Sequence, residues 1–265
     1  VAGSVDHINN SKIRVTDATP VKGTLSLTGT LTLNISNTTS YTLVLTNINQ
    51  RCDSYTTTTV ISVDPGQIIS TPTPTLLNQE FCDGETFSGP AFVLDGTATG
   101  YKVTWSPALP RGVTFDALPS NNIGTATFTL KGTLNTGVTT STAYYYTLVT
   151  EGTGCNTNTI SGSIVVKPVH KITLTAGQAN QLVCNVGSPI QPIEYTFSGG
   201  ANTYNISWTG GPIGLNVLNT SSKTLTISGT VNITGGITTT TSYTYIIKTI
   251  GNDCQTDTVS GVITV

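Results

Sequence analysis

The sequence predicts an all-β protein of tandem Ig-like antiparallel β-sandwich domains, with one disulfide to each full domain, and three observations carry that prediction. About one residue in five of the 265 is Thr, and Val, Ile, Tyr, Gly and Asn are also abundant. That mixture suits pleated strands joined by tight turns and offers little to helices. A block of pattern recurs three times at the spacing of one small sandwich, and cysteines fall at set places within it. The length is too great for one such sandwich and comfortable for two or three, each able to bury a core.

The block is clearest at Tyr144-Tyr145-Tyr146-Thr147-Leu148-Val149, followed by Cys155 and then Ile160-Ser161-Gly162-Ser163-Ile164-Val165-Val166. It returns as Tyr243-Thr244-Tyr245-Ile246-Ile247-Lys248, Cys254 and Val259-Ser260-Gly261-Val262-Ile263-Thr264-Val265. An earlier version runs Tyr41-Thr42-Leu43-Val44-Leu45-Thr46, Cys52 and Val60-Ile61-Ser62-Val63. In each the first Tyr precedes its Cys by 11 positions, and successive cysteines stand 103 and 99 residues apart. Upstream, Leu130-Lys131-Gly132-Thr133 matches Ile227-Ser228-Gly229-Thr230 and Leu27-Thr28-Gly29-Thr30, Trp105 matches Trp208, and Cys82 matches Cys184.

Within a copy the alternation is that of strands: Tyr144, Tyr146 and Leu148 share a face, as do Tyr243, Tyr245 and Ile247. The Tyr that opens this strand, Tyr144 or Tyr243, is the expected analogue of a tyrosine corner. Prolines close the copies at Asp64-Pro65 and Lys167-Pro168, because proline ends a strand and stiffens a joint. The expected units are therefore 1–65, a partial repeat lacking its opening strands, then 66–168 and 169–265. Pro72 and Pro74 are expected to prolong the first joint as an extended linker.

Laid over the repeat, the five cysteines resolve into Cys82 with Cys155 and Cys184 with Cys254, one bridge inside each full copy. Cys52 is left unpaired or interchain, its partner position falling before Val1. Loops of about 70 residues closed this way are each worth roughly 4 kcal/mol in the chain-entropy model, and they imply an oxidising compartment. A zinc site is the poorer reading, since no CxxC occurs.

Charged residues make up 9% of the chain and the formal net charge is -2, so a polyphosphate backbone or an anionic membrane surface finds nothing to bind. No apolar run approaches the roughly 18 residues of a membrane span. His7 and His170 are the chain's two histidines, and His170, in the joint after Pro168, is expected to be a solvated linker residue. There is no GxSxG, HExxH, phosphate-loop or DxDxDG pattern, and scattered carboxylates such as Asp95, Asp116 and Glu194 do not recur between copies. We expect no enzyme, no cofactor and no metal site; Asp83 and Glu85 around Cys82 have no acidic counterpart in the next copy, which reads Asn185-Val186-Gly187. Trp105 and Trp208, at one repeat position, suit a core better than a sugar-stacking platform.

The pattern carried by Cys82, Trp105, Leu109-Pro110-Arg111-Gly112-Val113, Leu130-Lys131-Gly132-Thr133, Tyr144 to Tyr146, Gly152-Thr153-Gly154-Cys155 and Ser161-Gly162-Ser163-Ile164-Val165-Val166 resembles the Ig-like and PKD-like tandem repeats of giant Bacteroidetes surface proteins, including flavobacterial gliding adhesins. The copy at 169–265 departs from it in having Gly214-Leu215-Asn216 in place of the Leu-Pro step. The resemblance implies display at the cell surface and adhesion or fibre-building. It also implies O-glycosylation at Asp-(Ser/Thr)-aliphatic sites, which makes Thr258 of Asp257-Thr258-Val259 a candidate.

The function expected is that of a rigid stalk or filament segment whose partners are neighbouring repeats of the same protein. One alternative takes Val1 as a mature terminus, so that the incomplete first copy self-assembles into a fibre by accepting strands from a neighbour. Another is a carbohydrate-binding module for a surface polysaccharide, which requires Trp105 or Trp208 to be exposed. Nucleic acid and membrane insertion are excluded as partners.

Overall fold

The computed structural model of the chain describes residues 12–16, 26–30, 35, 38–47, 55–118, 125–153, 156–184, 186–221 and 223–265. Among them, strands β1 (Lys12–Thr16) and β2 (Ser26–Thr30) pair antiparallel, as do β3 (Thr39–Asn47) and β4 (Tyr55–Val63). Eight strands follow: β5 (Gln67–Ser70), β6 (Asn78–Cys82), β7 (Thr86–Gly96), β8 (Ala98–Ser106), β9 (Val113–Phe115), β10 (Ala126–Thr133), β11 (Thr142–Gly152) and β12 (Thr159–Lys167). They form two four-stranded sheets ordered β5-β7-β10-β9 and β6-β12-β11-β8.

The same plan then repeats strand for strand. It uses β13 (His170–Ala176), β14 (Gln181–Leu182), β15 (Ile193–Gly199), β16 (Ala201–Thr209), β17 (Asn216–Ser221), β18 (Thr224–Ser228), β19 (Ser242–Gly251) and β20 (Thr258–Thr264). The sheets are β13-β15-β18-β17 and β14-β20-β19-β16.

The period-2 pattern explains each sheet face. Along β11, Tyr146, Leu148 and Thr150 are buried while Tyr145 just before them is exposed and Thr147 and Val149 between them are only partly buried; along β19, Tyr245, Ile247 and Thr249 are buried while Ile246 and Lys248 are exposed. One core is built of Phe92, Leu94, Phe128, Leu130, Tyr146, Leu148 and their neighbours between 69 and 166. The other is built of Ile193, Tyr195, Leu225, Ile227, Tyr245, Ile247 and Ile263 between 172 and 265. In the first, Phe128 stacks between Tyr101 and Phe92, with ring centroids 4.2 and 5.3 Å away.

The opening strand of each sandwich is split between its two sheets. β5 pairs antiparallel with β7, the chain crosses over through a 3-10 turn at Pro74–Leu76, and β6 then runs parallel to β12. Pro72 and Pro74 therefore serve the crossing inside the sandwich and do not lengthen the joint before it, as the sequence had suggested. A proline has no N–H to leave unpaired where the chain quits one ladder for the other.

The recurrent Tyr and Gly of the block are explained by one contact. Tyr146 Oη donates to the carbonyl of Leu77 at 3.0 Å, and Tyr245 Oη donates to that of Ala179 at 2.9 Å. Each ring lies across the Gly opposite it in the ladder, Gly162 and Gly261. A Cβ on Gly162 would stand 2.3 Å from Tyr146 Oη, and one on Gly261 2.2 Å from Tyr245 Oη, so neither position accepts a side chain. The residue that ties strand to crossover is thus the second Tyr of Tyr-x-Tyr, not Tyr144, which is half-buried against its core, or Tyr243, which is buried within its own. Burial pushes both phenols, Tyr146 and Tyr245, well above the ordinary tyrosine range. Tyr195 adds a hydroxyl 2.9 Å from that of Tyr245, which accepts since its own proton is directed at Ala179.

Candidate functional site at the joint between copies

β12 ends at Lys167, and only Pro168 and Val169 separate it from β13. Two elements close on this short joint. From the preceding sandwich comes the end of β6, where Cys82 lies level with Lys167 in the parallel ladder. From the following one comes the loop between β19 and β20, carrying Asn252, Asp253, Cys254 and Gln255.

Cys82 and Cys254 form a disulfide across the joint, with Cα atoms 5.5 Å apart and 172 positions between them in sequence. This corrects the expected bridges inside each copy, Cys82 with Cys155 and Cys184 with Cys254. The reason is geometric. Val183 N donates to Thr264 O, so Cys184 lies past the far end of β20, whereas Cys254 precedes the start of that strand. Seven residues of β strand extend about 20 Å, while bridged Cα atoms stand within about 7 Å. Cys184 is exposed and carries no disulfide. Cys52 and Cys155 lie outside the described residues.

Around the disulfide the loop grips the linker. Asn252 Nδ2 donates to Pro168 O at 3.0 Å, and His170 N donates to Gln255 O at 3.1 Å. His170 is buried, at 5% exposure, and is not the solvated linker residue expected. Its Nδ1 lies 2.9 Å from Thr249 Oγ1, and its Nε2 lies 3.0 Å from Asn252 Oδ1. Thr249, itself fully buried, donates to Asp257 O and accepts from Asp257 N, and the Asp257 carboxylate accepts from Ile172 N at 2.9 Å on the first strand beyond the joint. Burying these groups is tolerable because each has a partner.

The earlier joint has the same form. Gln67 is buried at the place of His170, and its N donates to Asn156 O, the counterpart of Gln255 O. The signal was present in sequence as Pro65-Gly66-Gln67 against Pro168-Val169-His170, but only knowledge of which loop folds over the joint makes it readable.

Charge follows the same lines. Lys167 Nζ lies 2.8 Å from Glu80 and 3.6 Å from Asp253, one carboxylate from each side of the joint. Glu80 foremost, with Asp253 behind it, holds the ammonium above its usual range. Exposed pairs of this kind add little stability but favour one orientation. Asp83 and Glu85 hold the Cys82 turn. Asp83 accepts from Thr136 N, Thr136 Oγ1 and Gly137 N, and Glu85 Oε2 accepts from Cys82 N. Partial burial opposes ionisation of Asp83, but these donors outweigh it and hold its pKa below the ordinary carboxylate value.

The remaining candidates are placed apart from the joint. Trp105 and Trp208 are half-buried against the cores, with ring centroids 5.3 Å from Tyr146 and Tyr245. Trp105 Nε1 is buried and without a hydrogen-bond partner among the described residues. Asp116 is ion-paired with Lys131, and Asp95 caps Gly96 N. Thr258 is exposed at the start of β20, its N bonded to Asp257 Oδ1. Among the described residues no group of three or more His, Cys, Asp or Glu is placed to hold a metal ion, and no helix is long and apolar enough to cross a membrane.

Fold and joint together define a tandem β-sandwich repeat protein with a covalent tie across the joint at Pro168. No family model matches the chain, and no curated protein matches it. Among solved structures it overlaps the EC1-3 fragment of mouse clustered protocadherin PcdhgC3 at a TM-score of 0.44 and 14% identity, covering 86% of this chain and 76% of that one. A protocadherin gammaB7 EC3-6 cis-dimer structure gives a TM-score of 0.46 at 14% identity, with 98% of this chain and 63% of that chain covered. An endo-fucoidan hydrolase of glycoside hydrolase family 107 overlaps at 0.29 and 14% identity, the chain spanning 38% of its length. Overlaps this loose say nothing of ligand, partner or location.

Proposed function

We propose that the chain is a structural segment of an extracellular, adhesive repeat protein, a stalk in which consecutive sandwiches are tied so that the whole resists bending and stretching. The observation that carries this reading is the Cys82–Cys254 bond, which joins two sandwiches to each other. A disulfide inside a domain stabilises that domain; one placed across a two-residue linker restricts the angle between domains. The buried His170 network and the Lys167 pairs act on the same joint.

The division 1–65, 66–168 and 169–265 belongs to this reading, supported by two separate cores within 69–166 and 172–265. So does location outside the cell, where a disulfide persists. The likeness of the motifs to Bacteroidetes surface repeats would place the stalk on such a cell, with Thr258 as an exposed acceptor for O-glycosylation. The half-buried settings of Trp105 and Trp208 favour the stalk over a sugar-binding module.

Small-angle X-ray scattering on the oxidised chain and on Cys82→Ser tests the proposal. Loss of the tie should broaden the long-distance part of the pair-distance distribution while circular dichroism stays that of folded sandwiches. Identical scattering curves for the two proteins would remove the basis for a stiffened stalk.

A further inference from the structure

Cys184 occupies in the last sandwich the place that Cys82 occupies in the one before. Gln79 and Glu80 lie beside Ile164 and Val165 in one parallel ladder, as Gln181 and Leu182 lie beside Ile263 and Thr264 in the other. Two backbone bonds of the turn beyond recur. Gly84 N donates to Leu134 O and Leu134 N to Glu85 O, at 2.8 and 3.0 Å; Gly187 N donates to Val231 O and Val231 N to Ser188 O, at 2.8 and 3.0 Å. The two cysteines differ in one respect. Cys82 is bonded to the loop of the following sandwich, while Cys184 is exposed and unbonded. It borders an open groove lined by Val186, Gly236 to Thr240 and Val265, with Leu182 beside it 75% exposed.

We infer that Cys184 and this groove are the docking site for one further sandwich of the same design, which bonds Cys184 through a cysteine in the loop before its last strand, at the position of Cys254. The Cys82–Cys254 joint is the precedent for the partner and for its orientation: the loop arrives over the end of the short parallel strand and closes on the linker. The exposed Leu182, where Glu80 stands in the earlier joint, offers the incoming loop apolar surface in place of an ion pair. The inference extends the stalk reading, since it makes the tie a rule that passes from each unit to the next.

Bond formation removes two protons and two electrons from the two thiols. The electrons pass to a disulfide of an exchanging dithiol protein or small molecule. One thiolate attacks that disulfide to give a mixed disulfide, the second thiolate displaces the acceptor's sulfur, and the acceptor leaves as two thiols.

The test is to extend the full chain after Val265 with a second copy of residues 167–265, which restores the spacing of the earlier joint because Val265 and Val166 are equivalent. In the added copy Cys184→Ser removes a duplicate thiol and Thr256→Ser gives the added loop a distinguishable mass. After refolding in a glutathione redox buffer, alkylation and non-reduced peptide mapping should find Cys184 bridged to the mass-tagged loop. Its alkylation should fall roughly tenfold or more against the unextended chain, as a tethered partner at millimolar effective concentration provides.

A folded extended chain whose Cys184 still alkylates fully, or pairs with Cys52, Cys155 or a second molecule, overturns the inference. Should the extended chain aggregate, Cys82→Ser in the 265-residue chain decides: Cys184 and Cys254 should both alkylate, and a bridge between them inside one sandwich overturns the assignment. If the tagged bridge is absent while Cys82→Ser still loosens the joint in scattering, the stalk reading stands and only its extension to Cys184 fails.

Discussion

A chain pulled by its ends yields length only from segments that carry the tension, and the Cys82–Cys254 bond diverts tension around everything between them. The 172 steps it bypasses, at about 3.6 Å each, amount to roughly 620 Å of chain held back. With the two Cα atoms 5.5 Å apart in the folded state, nearly all of that length is hidden. The oxidised chain is then limited to what lies outside the bond, 81 residues before Cys82 and 11 after Cys254, or about 330 Å. Bridges inside each copy would behave differently. They would leave the 29 steps between Cys155 and Cys184 free to extend by about 100 Å.

Single-molecule force spectroscopy between handles at the two termini separates these cases, run with and without reductant and on Cys82→Ser. Reduction and the substitution should each restore the missing length in sandwich-sized steps. Equal total extension with and without reductant, or a release near 100 Å from between the cysteines of the oxidised chain, would refute the bypass. The same bond removes denatured-state entropy worth about 5 kcal/mol for a loop of this size in the chain-entropy model.

Other outcomes follow from the contacts described. Tyr146→Phe and Tyr245→Phe should each cost about 1 kcal/mol in urea unfolding, the value of a hydroxyl–carbonyl bond. Gly162→Ala and Gly261→Ala should cost about 1–3 kcal/mol through overpacking beneath the ring; an Ala tolerated at no cost would mean the ring does not rest there. His170→Ala removes the ring's bonds to Thr249 Oγ1 and Asn252 Oδ1, a loss of about 1–3 kcal/mol, and should speed reduction of Cys82–Cys254 by dithiothreitol. An unchanged reduction rate would detach the histidine from the joint. Asp83 has a folded pKa below its unfolded value, so its contribution is present above the ordinary carboxylate range and is lost as pH falls through the folded value, below about 3.9. Thermal midpoints between pH 5 and 2 should therefore fall less steeply for Asp83→Asn than for the parent; parallel curves would show that the turn does not depend on the charge.

Strand content and repeat register were legible because period-2 burial and the spacing of Tyr, Cys and Ser-Gly are local properties of the chain. Tyr146 and Leu148 read as inward from their neighbours alone, and they are. What the sequence concealed was which end of a sandwich each cysteine occupies. Counting positions treats Cys184 and Cys254 as a natural pair, yet one lies past the end of β20 and the other before its start. The split opening strand decides this, carrying Cys82 to the level of Lys167, and no local pattern announces it. The burial of His170 is hidden in sequence for a related cause: a residue after a proline looks solvated until a loop more than 80 positions away is known to fold over it.

The pairing of Tyr with Gly across the ladder also constrains how such a chain can change. In the earliest copy the facing positions are Leu43 and Thr59, aligned as Tyr146 is with Gly162 and Tyr245 with Gly261. Both members of the pair differ together. A single step from either arrangement is penalised, since a side chain under the phenol collides with it and a glycine without the phenol leaves a gap. These two positions therefore descend as a linked unit, and in repeats of this design a glycine at the second should report a tyrosine at the first.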